Sequence, residues 1–226
     1  APSVMWGVKA GSSSLRTELF GPILSVACID NLQQGIELVN SLDYGLTSGL
    51  QSLDENEQKL WKDSILAGNL YINRGITGAI VNRQPFGGMK LSAFGGGVKA
   101  GGPNYCACLV KITDKPESNT DYKQSYPHSY EEEFAHARDI NKLYGEQNAF
   151  RTLPLKNMVL RLFPGDSNEE AEMIALATKL CHTPLTISFD PNDDRTTALS
   201  STGCTLKKET LDEFLKTMRS YERIRT

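Results

Sequence analysis

Nine glycines crowd into residues 75–103. Glycine weakens helices and strands alike, so no long regular element can run through this stretch. A loop longer than about 15 residues inside a compact domain is either functional or disordered. Here Ile76, Ile80, Val81, Phe86 and Phe94 are interleaved with the glycines. That mixture points to an ordered, close-packed loop rather than a flexible linker.

The segments before the loop read as its scaffold. Residues 4–9 and 22–29 are rich in Val and Ile and read as strands. Asp30-Asn31-Leu32-Gln33 reads as a helix cap, with Leu32, Ile36, Leu38 and Val39 forming an apolar face. Residues 46–53 read as a third strand. Asp54-Glu55-Asn56-Glu57 reads as a second cap, opening a helix to about residue 67 that Gly68 ends. Residues 70–73 form a short strand. Strands alternating with helices argue for an α/β sheet with crossover helices.

After the loop, residues 105–113 read as a strand. Residues 114–127 are polar and mark a boundary. A helix is expected over 129–144, its acidic start Glu131-Glu132-Glu133 complementing the helix N-terminus. A second α/β unit follows: strand 158–163, a helix capped by Ser167 and ending near Cys181, strand 185–189, and helix 207–218. The expected domains are 1–113, a linker and helix over 114–150, and an α/β domain over 151–226.

Composition excludes several classes. A net charge of −3 leaves no basic footprint for nucleic acid. No apolar run approaches the ~20 residues of a transmembrane helix. The N-terminus lacks the pattern of a secretory signal, and its start without Met suits an excised fragment. Five scattered cysteines, Cys28, Cys106, Cys108, Cys181 and Cys204, suggest inert thiols in a reducing cytoplasm. No metal-ligand spacing stands out. His128, His136 and His182 are isolated and read as surface or packing residues.

Three motifs carry the chemistry: Glu18-Leu19-Phe20-Gly21-Pro22; Asn40 with Tyr44-Gly45-Leu46-Thr47; and the run from Asn69 through Asn73-Arg74-Gly75-Ile76-Thr77-Gly78-Ala79 to Gln84-Pro85-Phe86-Gly87-Gly88. In this order and spacing they resemble the aldehyde dehydrogenase superfamily. The last run, with Lys99-Ala100-Gly101-Gly102-Pro103, is similar to Δ1-pyrroline-5-carboxylate dehydrogenase, also called L-glutamate γ-semialdehyde dehydrogenase. The likeness is greatest to that module of bifunctional proline utilisation A proteins. In Met89-Lys90-Leu91-Ser92-Ala93, the family's usual Gly after Ser is Ala93.

The resemblance implies a fold: the C-terminal part of an aldehyde dehydrogenase catalytic domain plus a partial Rossmann-like α/β domain. It implies that Glu18 holds the nicotinamide ribose of NAD, a diol that a carboxylate can accept from twice. Phe20 would pack beside the nicotinamide. Thr77, Gly78 and Ala79 would offer backbone N–H groups to the substrate carboxylate, with Gly permitting close approach and unusual φ. Phe86 would wall the aliphatic stem, and Asn73 and Arg74 would brace the loop. The Gly-rich run is no phosphate loop, because no Gly-Lys-Ser/Thr follows it. Residues 104–113 resemble the family's oligomerisation strand, implying a homo-oligomer. Tyr130-Glu131-Glu132-Glu133-Phe134, Gly145-Glu146-Gln147-Asn148 and Tyr221-Glu222-Arg223-Ile224-Arg225 are similar to the C-terminal domain of longer proline utilisation A proteins. FAD would belong only to an upstream proline dehydrogenase domain.

No residue here is assigned a catalytic role. Aldehyde oxidation needs a thiolate nucleophile, an oxyanion site and a base, and in the family these precede the matched region. A dinucleotide-binding βαβ unit is not expected either, because the second half has no G-x-G-x-x-G turn. Three readings stay open: a piece of an NAD-dependent glutamate-semialdehyde dehydrogenase, inactive alone; a non-catalytic assembly or lid module; or a dehydrogenase of another aldehyde.

Overall fold

A computed structural model describes residues 1–226 except 82, 95–97, 104, 112 and 114–120. The chain divides into two units, Ala1–Ile112 and Thr113–Thr226. Half of the polar stretch read as a boundary, residues 114–120 of 114–127, lies outside the described residues.

The first unit begins with β1 (Ser3–Trp6), α1 (Ser13–Arg16) and β2 (Ile23–Val26), β1 pairing in parallel with β2. Next comes α2 (Leu32–Asn40), capped by Asn31, whose side chain accepts the Gln34 N–H. Gln34, one place beyond the expected Gln33, reaches back to accept from the Asp30 N–H at 2.7 Å. A short β3 (Tyr44–Gly45) precedes the strand expected over 46–53, which is shorter than expected and forms β4 (Thr47–Leu50). Helix α3 (Glu55–Ser64) is capped by Asp54 and leads to β5 (Asn69–Ile72), which pairs in parallel with β4. The helix stops at Ser64 because Asn40 seizes the chain there: its Nδ2 donates to the Ser64 carbonyl and its Oδ1 accepts the Leu66 N–H. Ile36, Trp61 and Ile65 form the core between α2, α3 and the β4–β5 ribbon. Finally β6 (Met89–Lys90) returns antiparallel to β3.

The strand expected over 105–113 does not form. Its described residues instead hold a 3-10 turn at Cys106–Leu109, with the Cys108 N–H bonded to the Tyr105 carbonyl. An extended segment with no neighbour leaves its N–H and C=O groups unpaired, whereas a 3-10 turn closes some of them locally.

The second unit opens with α4 (Tyr122–Glu133), where the sequence suggests a helix over 129–144. Asp121 sets the earlier start, its carboxylate accepting the Lys123 N–H at 2.9 Å. Glu131, Glu132 and Glu133 therefore end the helix, where the dipole disfavours them. Nearby basic groups answer them: His136 with Glu131, His128 with Glu132 and Arg138 with Glu133.

Then follow β7 (Met158–Arg161), α5 (Asn168–Leu180), β8 (Leu185–Phe189), α6 (Thr196–Leu199), β9 (Thr205–Lys208), α7 (Leu211–Thr217) and β10 (Arg223–Arg225). Ser167 caps α5. The expected helix over 207–218 is a strand and a shorter helix, because Thr210 and Glu213 form a reciprocal capping box that fixes the start of α7. The sheet order is β10-β7-β8-β9, parallel throughout. From β7 the chain winds outward twice and then returns to β7's other side, the arrangement of one Rossmann half. Leu160, Leu162, Ala171, Ala175, Leu185, Ile187, Phe189 and Leu199 fill the core.

At the carboxyl ends of these strands lies a buried polar group. Arg161 is 2% exposed and donates to the Ser188 hydroxyl and the Glu209 carbonyl. Ser188 in turn donates to the Glu209 carboxylate at 2.6 Å, which also pairs with Lys207 at 2.6 Å. The Arg161 guanidinium lies 5.4 Å from the ring centre of Phe214.

Candidate functional site

The Gly-rich loop leaves β5 through Asn73, which has a left-handed φ of 56°. Asparagine tolerates that conformation, and here both ends of its amide are used. Oδ1 accepts the Ser52 N–H at 2.9 Å, and Nδ2 donates to the Ser52 carbonyl at 2.8 Å. Arg74 lays its guanidinium 5.2 Å from the centre of the buried Tyr71 ring, and its carbonyl accepts from Gln51. Tyr71 reaches across to Gln84 at 3.4 Å, tying the start of the loop to its return. Asn73 and Arg74 thus brace the loop exit.

Thr77, Gly78 and Ala79 follow in an irregular stretch. Thr77 and Gly78 are exposed, and Ala79 is half-buried. Gly78 has φ +78°, and a Cβ there would meet nothing within 4 Å. The need for glycine is therefore conformational rather than steric. Among the described residues, none of the backbone N–H groups of Thr77, Gly78 and Ala79 donates to a protein acceptor. The loop turns at Ile80, whose carbonyl accepts from both Arg83 and Gln84.

The return limb is held far more tightly. Phe86, half-buried, exchanges two backbone hydrogen bonds with Ala100. Asn69 accepts the Gly87 N–H and donates to the Pro85 carbonyl. A Cβ on Gly68 would run into the Gly87 carbonyl, so only glycine lets the two backbones approach this closely. Lys99 Nζ donates to the carbonyls of Gly68 at 2.6 Å and Gly87 at 2.5 Å, and to Asn69 Oδ1 at 3.3 Å. Burial pushes the Lys99 pKa down. Lys90 makes a similar tie at the end of α2, donating to the carbonyls of Asn40 and Leu42. Ser92 Oγ accepts the Gly45 N–H.

Glu18 and Phe20 lie apart in sequence, in the turn between α1 and β2. Both are exposed, Phe20 at 97%. Among the described residues the Glu18 carboxylate has no hydrogen-bond or ionic partner. Thr77, Gly78, Ala79 and Phe86 thus share one loop. No hydrogen bond or ring contact joins them to Glu18 or Phe20 among the described residues. Sequence reasoning missed the roles of Asn69 and Lys99; the only signal was their presence in the quoted motifs. No disulfide joins any of the five cysteines, and no cluster of His, Cys, Asp and Glu among the described residues is arranged to hold a metal. The second unit has a cavity of about 460 Å³ lined by Tyr130, Phe134, Leu153, Met158, Ile174 and Arg225, among others. None of the site residues expected from the sequence borders it.

A sequence profile described as the aldehyde dehydrogenase family matches residues 1–113, and the chain belongs to that family. Particular relatives narrow the likeness. The chain is 37% identical over 107 residues to a 1-pyrroline-5-carboxylate dehydrogenase of Staphylococcus haemolyticus, covering 46% of this chain and 20% of that protein. It is 47% identical over 111 residues to the bifunctional protein PutA of Rhizobium meliloti, covering 48% of this chain and 9% of that protein. The solved structure of proline utilization A from Corynebacterium freiburgense matches with a TM-score of 0.70 at 34% identity, over 91% of this chain and 25% of that one. That likeness extends past the profile match into the second unit. The chain spans about a fifth or less of the curated relatives' length.

Proposed function

We propose that this chain is the substrate-anchoring portion of an NAD-dependent L-glutamate γ-semialdehyde dehydrogenase of proline catabolism. The observation that carries the reading is the 77–79 loop: three successive exposed or half-exposed residues whose N–H groups have no acceptor among the described residues, with a left-handed glycine at their centre. Such N–H groups suit the carboxylate at the far end of the semialdehyde. An apolar aldehyde would need no such cradle. Phe86, on the same loop, supplies an apolar wall for the stem between the two ends of the substrate. The reaction takes the semialdehyde, water and NAD to glutamate and NADH.

The exposed Glu18 carboxylate and the exposed Phe20 ring fit the ribose diol and ring of a nicotinamide nucleotide. When bound, that nucleotide supplies the hydride acceptor. The chain's own residues bind and orient, while the thiolate that attacks the aldehyde belongs to the rest of the enzyme. The isolated chain therefore has no dehydrogenase activity. Homo-oligomerisation through residues 104–113 accords with the exposure of Leu109 (79%) and Val110 (61%), apolar side chains that a neighbouring subunit would cover. The reading places the enzyme in the cytoplasm.

The test uses the complete enzyme that carries this segment. Gly78→Ala should lower kcat/KM for glutamate semialdehyde about ten-fold or more, because the loss of a positive-φ glycine misdirects the cradle. With propionaldehyde, which has no carboxylate, the change should stay within about two-fold. An equal loss with both aldehydes would contradict the assignment.

A further inference from the structure

The anchor limb of the loop is open, but its return limb is fastened by one cation. A lysine ammonium has three N–H donors and no acceptor. Lys99 has three oxygen partners: the Gly68 carbonyl, the Gly87 carbonyl and Asn69 Oδ1. All its donors are used, so none is left to bind a ligand directly. None of the three partners is a carboxylate. The charge is thus held by backbone dipoles and one amide, an arrangement that needs those groups at fixed positions.

These partners join parts of the chain that are far apart. Gly68 and Asn69 begin the β5 segment, and Gly87 directly follows Phe86 on the return limb. Asn69 reinforces the joint by accepting the Gly87 N–H and donating to Pro85. Ala100, next to Lys99, pairs with Phe86. Phe86 is therefore flanked by residues whose backbones are tied down, and a half-turn of slack at Gly87 would move its ring.

We propose that Lys99 is a positioning residue: its ammonium clips Gly87 to the start of β5 and thereby sets the pose of the Phe86 wall beside the 77–79 anchor. The role in substrate binding rests on the function proposed above; the clip itself does not. Lys99→Met keeps the aliphatic stem and removes the donors. Lys99→Arg keeps a cation with donors but changes their geometry.

The experiment uses the isotope-labelled 226-residue chain. In the native chain the Lys99 ammonium should give its own proton–nitrogen signal at neutral pH, because its hydrogen bonds slow exchange with water. Hydrogen exchange at the Gly87 amide should speed up at least ten-fold in Lys99→Met and by an intermediate amount in Lys99→Arg. Amides of the Ile36–Trp61–Ile65 core should keep their protection in both, which separates loss of the clip from loss of the fold. Glutamate added to the native chain should shift the Gly78 and Ala79 amides, and Lys99→Met should weaken that binding about five-fold or more. Unchanged Gly87 protection in Lys99→Met, or a native ammonium that exchanges like a surface lysine, would overturn the clip. A native chain with the ammonium signal and the Gly87 effect, but no response to glutamate, would support the clip and overturn the site reading alone.

Discussion

The two units bury their apolar side chains in contrasting ways. In Thr113–Thr226, four adjacent parallel strands share one core, in which Ile187, Phe189 and Leu199 are completely enclosed. In Ala1–Ile112, the strands form separate two-stranded ribbons, and of these the β4–β5 ribbon packs on the small Ile36–Trp61–Ile65 cluster. Large apolar groups there face outward: Trp6 is 78% exposed, Phe20 97% and Phe94 100%. The first unit compensates with polar ties between side chain and backbone: Asn40 to Ser64, Asn73 to Ser52, Lys90 to Asn40 and Lys99 to Gly87. One unit is held by its sheet and core, and the other holds open loops in shape with single polar side chains.

Substitutions can break that contrast. The largest effect is expected in the sheet-bearing unit, where Phe189→Ala should cost about 3–5 kcal/mol in denaturant unfolding followed by amides of β7 and β8. A loss below about 1 kcal/mol would mean that the sheet core is not what holds this unit. Next is Glu209→Ala, which removes the carboxylate that compensates Arg161 through Ser188. A buried cation left without its counter-charge costs on the order of 3 kcal/mol. If the variant matched the native midpoint, the polar group would be incidental.

In the loop-bearing unit, Gly68→Ala forces a methyl into the Gly87 carbonyl. Overpacking of this kind costs about 1–3 kcal/mol. The account predicts that the loss appears as lost amide protection at Phe86 and Gly87 rather than in the Trp61 core. The smallest effect concerns Asp139, which accepts the Asn148 and Lys142 N–H groups. Those bonds, Asn148 first, hold its pKa below the usual carboxylate value. A depressed folded pKa adds stability that is present above the unfolded value of about 3.9 and is lost as pH falls through the folded one. Asp139→Asn should therefore lower the urea midpoint slightly at pH 6 and not at pH 2, and equal shifts at both would refute the linkage.

The contrast also explains what could be read from the sequence. In the second unit, β8 lies where a strand was expected over 185–189, with Leu185, Ile187 and Phe189 recurring at every second position. Ser167 and Asp54 cap the expected helices, since capping is a local act of one side chain on nearby N–H groups. β10 escaped notice: Arg223, Ile224 and Arg225 are all exposed on an edge strand, with no apolar run to betray them. The helix expected at 129 begins at Tyr122 because one cap, Asp121, outweighed the attraction of the acidic run for a helix start. In the first unit, Thr77, Gly78, Ala79 and Phe86 could be singled out only by resemblance to the family's motif, because no local pattern of residue types marks a backbone cradle. Lys99 and Asn69 were not legible as ties, because bonds spanning 12 to 31 residues leave no local pattern.

The most direct test of the central claim is an amide-shift titration of the 226-residue chain with glutamate and, separately, with isoglutamine, whose α-carboxylate is an amide. The account predicts that glutamate shifts the Gly78 and Ala79 amides, with a smaller response at Phe86, and that isoglutamine leaves them unmoved. Equal responses to both ligands, or glutamate shifts confined to residues outside the 77–88 loop, would contradict it.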